Sequence, residues 1–113
     1  MSQQDLFART KAYALRIIKL YVALPKSTEA QVLGKQVLRS GTSIGAHYRE
    51  ANRAKSDADF ISKLETALQE LDETIYWLEL IIEASLFSST KLESLISETR
   101  ELNAIFLLRW QRT

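Results

Sequence analysis

The stretch SGTSIGAHYREANRAK, residues 40–55, is the part of the sequence on which the prediction of the fold depends. The protein has only three glycines, and Gly34, Gly41 and Gly45 all lie in this stretch or just before it. The only histidine, His47, and a dense run of basic residues lie here too. Composition alone is typical of a loop, whereas the spacing of the apolar residues indicates a helix.

That spacing continues through the glycines without a change of phase. Leu33, Val37, Ile44, Tyr48 and Ala51 keep to steps of three and four once the small residues at 40–41 are counted as part of the same face. We therefore predict one helix from about residue 29 to residue 53. Each interior glycine costs about 1 kcal/mol relative to alanine, so a close approach by another helix is expected there. A break at residues 40–43 is the alternative.

Three further segments have helical periodicity, over about residues 2–24, 57–84 and 90–109. Pro25 ends the first, because proline disfavours helical geometry in the residue before it. Helix starts are predicted from capping patterns, in which a hydroxyl at the cap accepts from a backbone N–H and an acidic or amide residue three positions later returns a bond. The three patterns are Thr28 with Gln31, Ser56 with Asp59, and Thr90 with Glu93.

Four amphipathic helices joined by short turns predict an all-α, antiparallel up-down-up-down four-helix bundle, with residues 1–113 as a single domain. Glycine and proline together number four, which argues against a β-sandwich or barrel. Several apolar residues fall outside the stripes that one bundle would bury, and a second buried face suggests a homo-oligomer. These residues are Val22, Val32, Trp77, Leu80, Ile81, Leu107 and Leu108.

The sequence contains no cysteine, which excludes a disulfide framework and thiolate chemistry. Charged residues interrupt the first 21 residues, so no signal peptide is predicted. No window approaches the roughly 18 apolar residues of a membrane span. A soluble, cytoplasmic protein with no membrane partner is expected.

Charge is distributed unevenly. Residues 1–55 carry ten Lys or Arg against three acids, and residues 56–113 carry five against eleven. This asymmetry suggests an anionic partner or self-association, and the alternative is that the two halves neutralise each other within the fold. If the basic faces of the first two helices merge, the patch suits the backbone of RNA or DNA. The candidate residues for nucleic-acid contact are Arg9, Arg16, Lys19, Lys35, Arg39, Arg53 and Lys55. An interaction module that binds only protein is the competing hypothesis.

Catalytic and metal-binding patterns are weak. A di-metal carboxylate bundle needs two Glu-x-x-His pairs, but this chain has one histidine, and His47 precedes Glu50 in the reverse order. There is no phosphate-binding loop and no recognisable catalytic triad. We expect no enzyme activity, no metal and no cofactor. Instead, a structural polar cluster is predicted between the second and third helices, in which Glu50 pairs with an arginine. Its members are Arg39, Arg49, Glu50, Glu70 and Glu73.

The middle of the chain resembles the four-helix-bundle proteins encoded in bacterial 23S rRNA intervening sequences, a family related to the accessory variability determinant of diversity-generating retroelements. The similarity covers most of the chain. The matching positions are Gln36, Leu38, Arg39, Ser43, Ile44, Glu50, Ser56, Phe60, Leu64, Ala67, Glu70 and Glu73. Where many members read Asn-Ile-Ala-Glu-Gly, this chain reads Ala-His-Tyr-Arg-Glu-Ala over residues 46–51, which marks a subgroup.

The resemblance implies a bundle that assembles as a ring-like homopentamer and has no catalytic role. For the retroelement branch it implies a basic surface that binds nucleic acid and a reverse transcriptase. The resemblance therefore implies three kinds of partner: further copies of this chain, RNA or DNA, and a reverse transcriptase.

Overall fold

The computed structural model describes residues 1–113 and contains four α-helices and no strand. They are α1 (Gln3–Ala23), α2 (Thr28–Ala51), α3 (Asp57–Glu83) and α4 (Ser89–Gln111). The molecule is elongated, with principal extents of 45 × 22 × 20 Å. The prediction of an all-α four-helix fold is confirmed, and the predicted helix ends lie within about two residues of those observed.

Helix α2 runs without interruption through Gly41 and Gly45, so the alternative of a break at residues 40–43 is wrong. No glycine has a positive φ, which means that none of them makes a turn. They make room for α1 instead. A Cβ atom built on Gly41 would lie 2.7 Å from Cγ1 of Ile17, and one on Gly45 would lie 3.0 Å from Oγ1 of Thr10. The close helix approach predicted from the glycines is therefore present between α1 and α2.

The start of α2 differs from the predicted capping box. Ser27 is the cap residue, and its side chain makes no capping hydrogen bond. Thr28 already lies inside the helix, and Gln31 has another role. Its Nε2 donates to the carbonyl oxygen of Pro25 at 3.0 Å, and its Oε1 accepts from the Tyr21 hydroxyl at 3.1 Å. Gln31 therefore links the turn at Pro25 to Tyr21 of α1, and it does not complete a capping box.

The predicted cap residue of α3 is confirmed, although Asp59 returns no bond to it, and the predicted cap of α4 is wrong. The Ser56 hydroxyl accepts from the backbone N–H of Asp59 at 3.1 Å. Helix α4 begins one residue before Thr90, after the cap residue Ser88, whose side chain makes no capping bond. The Thr90 side chain is thus placed within the first turn, where it cannot act as the cap.

The core contains buried apolar residues from all four helices and two hydroxyl pairs that cross between helices. Thr99 on α4 donates its hydroxyl to a carbonyl of its own helix, so the Tyr13 hydroxyl of α1 donates to Thr99, at 2.6 Å. In the same way Ser40 of α2 donates to Thr74 of α3 at 2.8 Å. These pairs satisfy buried hydroxyls, which would otherwise cost free energy.

Consecutive helices contact each other most closely, and α1 contacts α4 only sparsely. The paired residues of α1 and α2 run in opposite order. Gly41 and Gly45 of α2 face Ile17 and Thr10 of α1, respectively, so the residue number rises on one helix as it falls on the other. None of the four helices combines the length and the apolar character needed to span a membrane.

Candidate functional site

The contact between α2 and α3 carries a line of charged side chains along its outer edge. Arg39 of α2 lies 3.6 Å from Oε1 of Glu70 and donates to Oε2 of Glu73 at 3.3 Å. Four of the five residues predicted to form a structural polar cluster, all except Arg49, lie at this contact. We call the set Arg39, His47, Glu50, Lys63, Glu70 and Glu73 the α2–α3 seam.

His47 lies between two carboxylates of this seam. Its Nδ1 is 3.9 Å from Oε2 of Glu50, and its Nε2 is 3.8 Å from Oε1 of Glu70. Both distances are too long for hydrogen bonds. Nδ1 of His47 and Oε2 of Glu70 are also buried without a hydrogen-bond partner. No three His, Asp or Glu side chains converge as a group that could hold a metal ion.

Glu50 and Arg49 differ from their predicted contacts. The partner of Glu50 across the helix contact is Lys63, whose Nζ lies 3.4 Å from Oε2, and not an arginine. Arg49 precedes Glu50 by one position, so its side chain is turned by about 100° around the axis of α2 and faces α1. Its guanidinium lies 5.3 Å from the centre of the Phe7 ring. The Glu50 side chain is 51% exposed, and an exposed pair of this kind contributes only about 0–1 kcal/mol to stability.

Glu70 is the most buried carboxylate of the seam, with a side chain that is 13% exposed. Burial raises the pKa of its carboxyl above the usual range, and the charge of Glu73 adds to the rise. Arg39 and His47 act in the opposite direction without cancelling the effect. Ionised Glu70 is therefore less favourable in the folded protein than in the unfolded chain.

We expect Glu70→Gln to change how stability depends on pH. The raised pKa means that the stability linked to Glu70 is present below its unfolded value and is lost as pH rises through its folded value. The variant should be more stable than the native protein at pH 7, and the difference should shrink towards pH 4. Thermal melts across that range measure it. Glu79→Gln, an exposed change on the same helix, is the control, and an equal gain there would contradict the role of burial.

The seven cations predicted to contact nucleic acid do not form one patch. Arg9 and Arg16 are seven positions apart on α1 and both face α4, where Arg16 donates to the Ser94 hydroxyl at 3.0 Å. Arg39 faces α3. The four that remain are exposed and have no carboxylate within ion-pair distance: Lys19, Lys35, Arg53 and Lys55.

Arg9 makes the most extensive charged contact in the molecule. Its Nε and Nη2 donate to the two carboxylate oxygens of Glu98 at 2.7 and 2.6 Å, and Nη2 also donates to Glu101 at 3.1 Å. These bonds to Glu98 raise the pKa of the guanidinium above its usual value. Arg9 was predicted to contact nucleic acid, whereas in the structure it joins α1 to α4.

Large apolar side chains remain exposed on the surface. Leu15, Ile18 and Val22 follow each other at steps of three and four on α1, and their exposed fractions are 57%, 42% and 67%. Others lie on the remaining helices: Val32, Tyr76, Leu107, Leu108 and Trp110. Of the seven apolar residues predicted to lie outside the core, Ile81 is instead fully buried, while Trp77 and Leu80 are half-buried.

These features define a small all-α four-helix protein whose charged groups lie at helix contacts and on its surface. The family model described as 23S rRNA-intervening sequence protein matches residues 2–107. The chain belongs to this family. No curated protein matches it.

A solved structure of similar size supports the assignment. It is the crystal structure of a protein of unknown function from the S23 ribosomal protein family of Bacteroides thetaiotaomicron. The two sequences are 40% identical, the TM-score is 0.91, and the match covers 98% of this chain and 99% of that one. The fold of this chain and that of the Bacteroides protein are therefore closely similar over their full lengths.

Proposed function

We propose that this protein is a non-catalytic, cytoplasmic, oligomeric scaffold that binds the phosphate backbone of RNA or DNA. One observation carries the proposal, namely the surplus of cations on the half of the chain that forms α1 and α2. After the ion pairs within the fold are accounted for, Lys19, Lys35, Arg53 and Lys55 still lack an acidic partner. Exposed lysine and arginine side chains without acidic partners attract the phosphate backbone of a nucleic acid.

Two different surfaces support self-association. The exposed apolar residues of α1 lie among lysines, with Lys11 and Lys19 adjacent to Leu15 and Ile18. The outer face of α3 presents Tyr76 among carboxylates: Glu65, Asp72, Glu79 and Glu83. Opposite charge around apolar centres favours contact between the first surface of one copy and the second surface of another. Because the two surfaces differ, such a contact is heterologous, and it forms a ring when the rotation between copies closes, as the homopentamer implied by the resemblance requires.

An oligomer repeats its cations around the symmetry axis, so weak phosphate contacts would add through multivalency. A reverse transcriptase is the protein partner expected if the chain serves the retroelement branch of its relatives. The proposal assigns no catalytic residue. The only histidine lies between the carboxylates of Glu50 and Glu70, and its Nδ1 makes no hydrogen bond.

Sedimentation velocity with fluorescently labelled structured RNA and duplex DNA tests both parts of the proposal. The protein alone at micromolar concentration should sediment well above its 12.9 kDa monomer mass, as a pentamer. Nucleic acid should co-sediment at about 50 mM salt and separate at about 200 mM, the range over which phosphate-driven binding is lost. A monomer would contradict the oligomer. An oligomer that binds no nucleic acid at the lower salt would leave the protein-interaction module as the function.

A further inference from the structure

The outer groove between α1 and α2 is lined by cations and contains no acidic side chain. It consists of two adjoining hollows near the end of the bundle that holds the α2–α3 turn, and Arg49 lines both. The first, of about 280 Å³, is lined by Thr10, Lys11, Ala14, Thr42, Gly45, Ala46 and Arg49. The second, of about 240 Å³, is lined by Gln3, Phe7, Arg49, Asn52 and Arg53.

The three cations of this groove have no carboxylate within ion-pair distance. Lys11 projects from α1, and Arg49 and Arg53 are four positions apart on α2 and the turn that follows it. The nearby acids are engaged elsewhere. Asp5 bonds to the N-terminal cap of α1, Glu50 pairs with Lys63 on the other side of α2, and Glu98 and Glu101 hold Arg9. The positive potential of the groove is therefore not neutralised from within the chain.

Arg49 is held in position before any ligand arrives. Its guanidinium lies over the face of Phe7, 5.3 Å from the ring centre, an arrangement that orients the group without using its hydrogen-bond donors. A guanidinium that is oriented but not paired loses less conformational freedom on binding a phosphate than a mobile one would. Arg49 was predicted to belong to the polar cluster of the α2–α3 contact, and its position over Phe7 gives it a different role.

Small residues leave this groove open to a polymer. Ala14, Gly45 and Ala46 project little over its floor, and the hydroxyls of Thr10 and Thr42 donate back to carbonyls of their own helices. Side-chain donors for a ligand therefore come from the three cations and from the amides of Gln3 and Asn52, the latter with one of its two hydrogens already bonded to a carbonyl of α2. From Thr42 to Ala51 the groove follows α2 for about 14 Å at 1.5 Å per residue, so it extends beyond the size of a single phosphate group.

We propose that this groove, centred on Lys11, Arg49 and Arg53, is where the protein holds the phosphodiester backbone of a nucleic acid. The inference rests on the proposed function and specifies its site, which differs from the seven residues predicted from the sequence by including Lys11 and Arg49. The exposed apolar stripe of α1 begins at Leu15 and continues towards the other end of the bundle, so most of the groove lies outside the surface proposed for self-association. The absence of any base-reading element predicts tolerance of sequence.

The test compares two triple variants that remove the same charge. Lys11→Gln/Arg49→Gln/Arg53→Gln removes the cations of the groove, and Lys26→Gln/Lys91→Gln/Arg100→Gln removes three exposed cations that lie outside the groove. Fluorescence anisotropy with duplex DNA and structured RNA is measured between about 50 and 200 mM salt, with circular dichroism to confirm folding. For the groove variant, the plot of log K against log salt on duplex DNA should become less steep. The magnitude of its slope should decrease by about 0.9 for each phosphate that is no longer neutralised, hence by about three in total. The control variant should keep the slope of the native protein.

Every other outcome contradicts the proposed site, the proposed function or the binding of a continuous backbone. If the native protein binds and the groove variant keeps its slope, or if the slope of the control falls as much, the groove is not the site and the proposed function stands. If the native protein binds neither nucleic acid at the lower salt, the proposed function and the site fall together. If inorganic phosphate at millimolar concentration displaces the nucleic acid at constant ionic strength, the groove binds single phosphate groups and not a continuous backbone.

Discussion

Gly41→Leu should lower the free energy of unfolding by about 3 kcal/mol, the largest loss of stability that we expect from a single substitution in α2. A Cβ atom at this position would lie 2.7 Å from Cγ1 of Ile17 and 3.0 Å from two further carbons of the same side chain. Ile17 is completely buried and branched at Cβ, so it cannot rotate away, and α1 must move outward. The gain of about 1 kcal/mol from replacing a helical glycine offsets only part of the cost.

Urea denaturation at a fixed protein concentration measures this change, because the apparent stability of an oligomer depends on concentration. Ala46→Leu is the matched control. It places the same side chain further along α2 at an exposed position and should change the stability by less than about 0.5 kcal/mol. Equal midpoints for the native protein and Gly41→Leu would mean that α1 does not need its close approach to α2.

Arg9→Ala should cost about 2 kcal/mol, the second largest effect. The side chain donates three hydrogen bonds to two carboxylates of α4, and hydrogen bonds to charged groups contribute about 1.5–3 kcal/mol. The pair is sheltered, with side-chain exposures of 24% for Arg9 and 18% for Glu98, so removing one partner leaves the other charge poorly solvated. The interaction matters more because α1 and α4 otherwise touch only sparsely.

A double-mutant cycle with Glu98→Ala isolates the pair, since the coupling energy excludes whatever each residue does alone. Lys11→Ala serves as the control, because this neighbouring cation of α1 has no carboxylate partner and its removal should be nearly neutral. Additive losses for Arg9→Ala and Glu98→Ala would show that the two side chains do not stabilise the fold together. A coupling that disappears in high salt would place the pair among ordinary surface ion pairs.

The sequence predicted the helices well because their apolar residues recur at helical spacing along the whole of each segment. The unbroken course of α2 through Gly41 followed from that spacing. Helix caps were less predictable, since Ser27–Thr28 and Ser88–Thr90 offer neighbouring hydroxyls and the geometry of the preceding turn selects among them. A capping box at Ser2 and Asp5 was missed, although a serine followed three positions later by an acid was a visible signal.

The charged contacts could be predicted only in part. Spacing indicated that Glu70 and Glu73 share a face of α3, and Arg39 lies against both. Spacing could not determine how each helix is rotated about its axis when it packs. One position separates Glu50, at the edge of the α2–α3 seam, from Arg49, which faces α1. The groove of Lys11, Arg49 and Arg53 depends on the same rotation of α2. For this reason no sequence motif predicts it.

The pattern of helix packing also bears on how the chain reaches its native state. Close contacts join α1 to α2, α2 to α3 and α3 to α4, while the pairing of the first helix with the last is sparse. Most of the native interactions therefore connect residues that are near each other in the chain, and little loop-closure entropy has to be lost before they form. A topology of low contact order belongs among those that fold in microseconds to milliseconds. The Arg9 interaction with Glu98, separated by 89 positions, is among the few that must await the last helix.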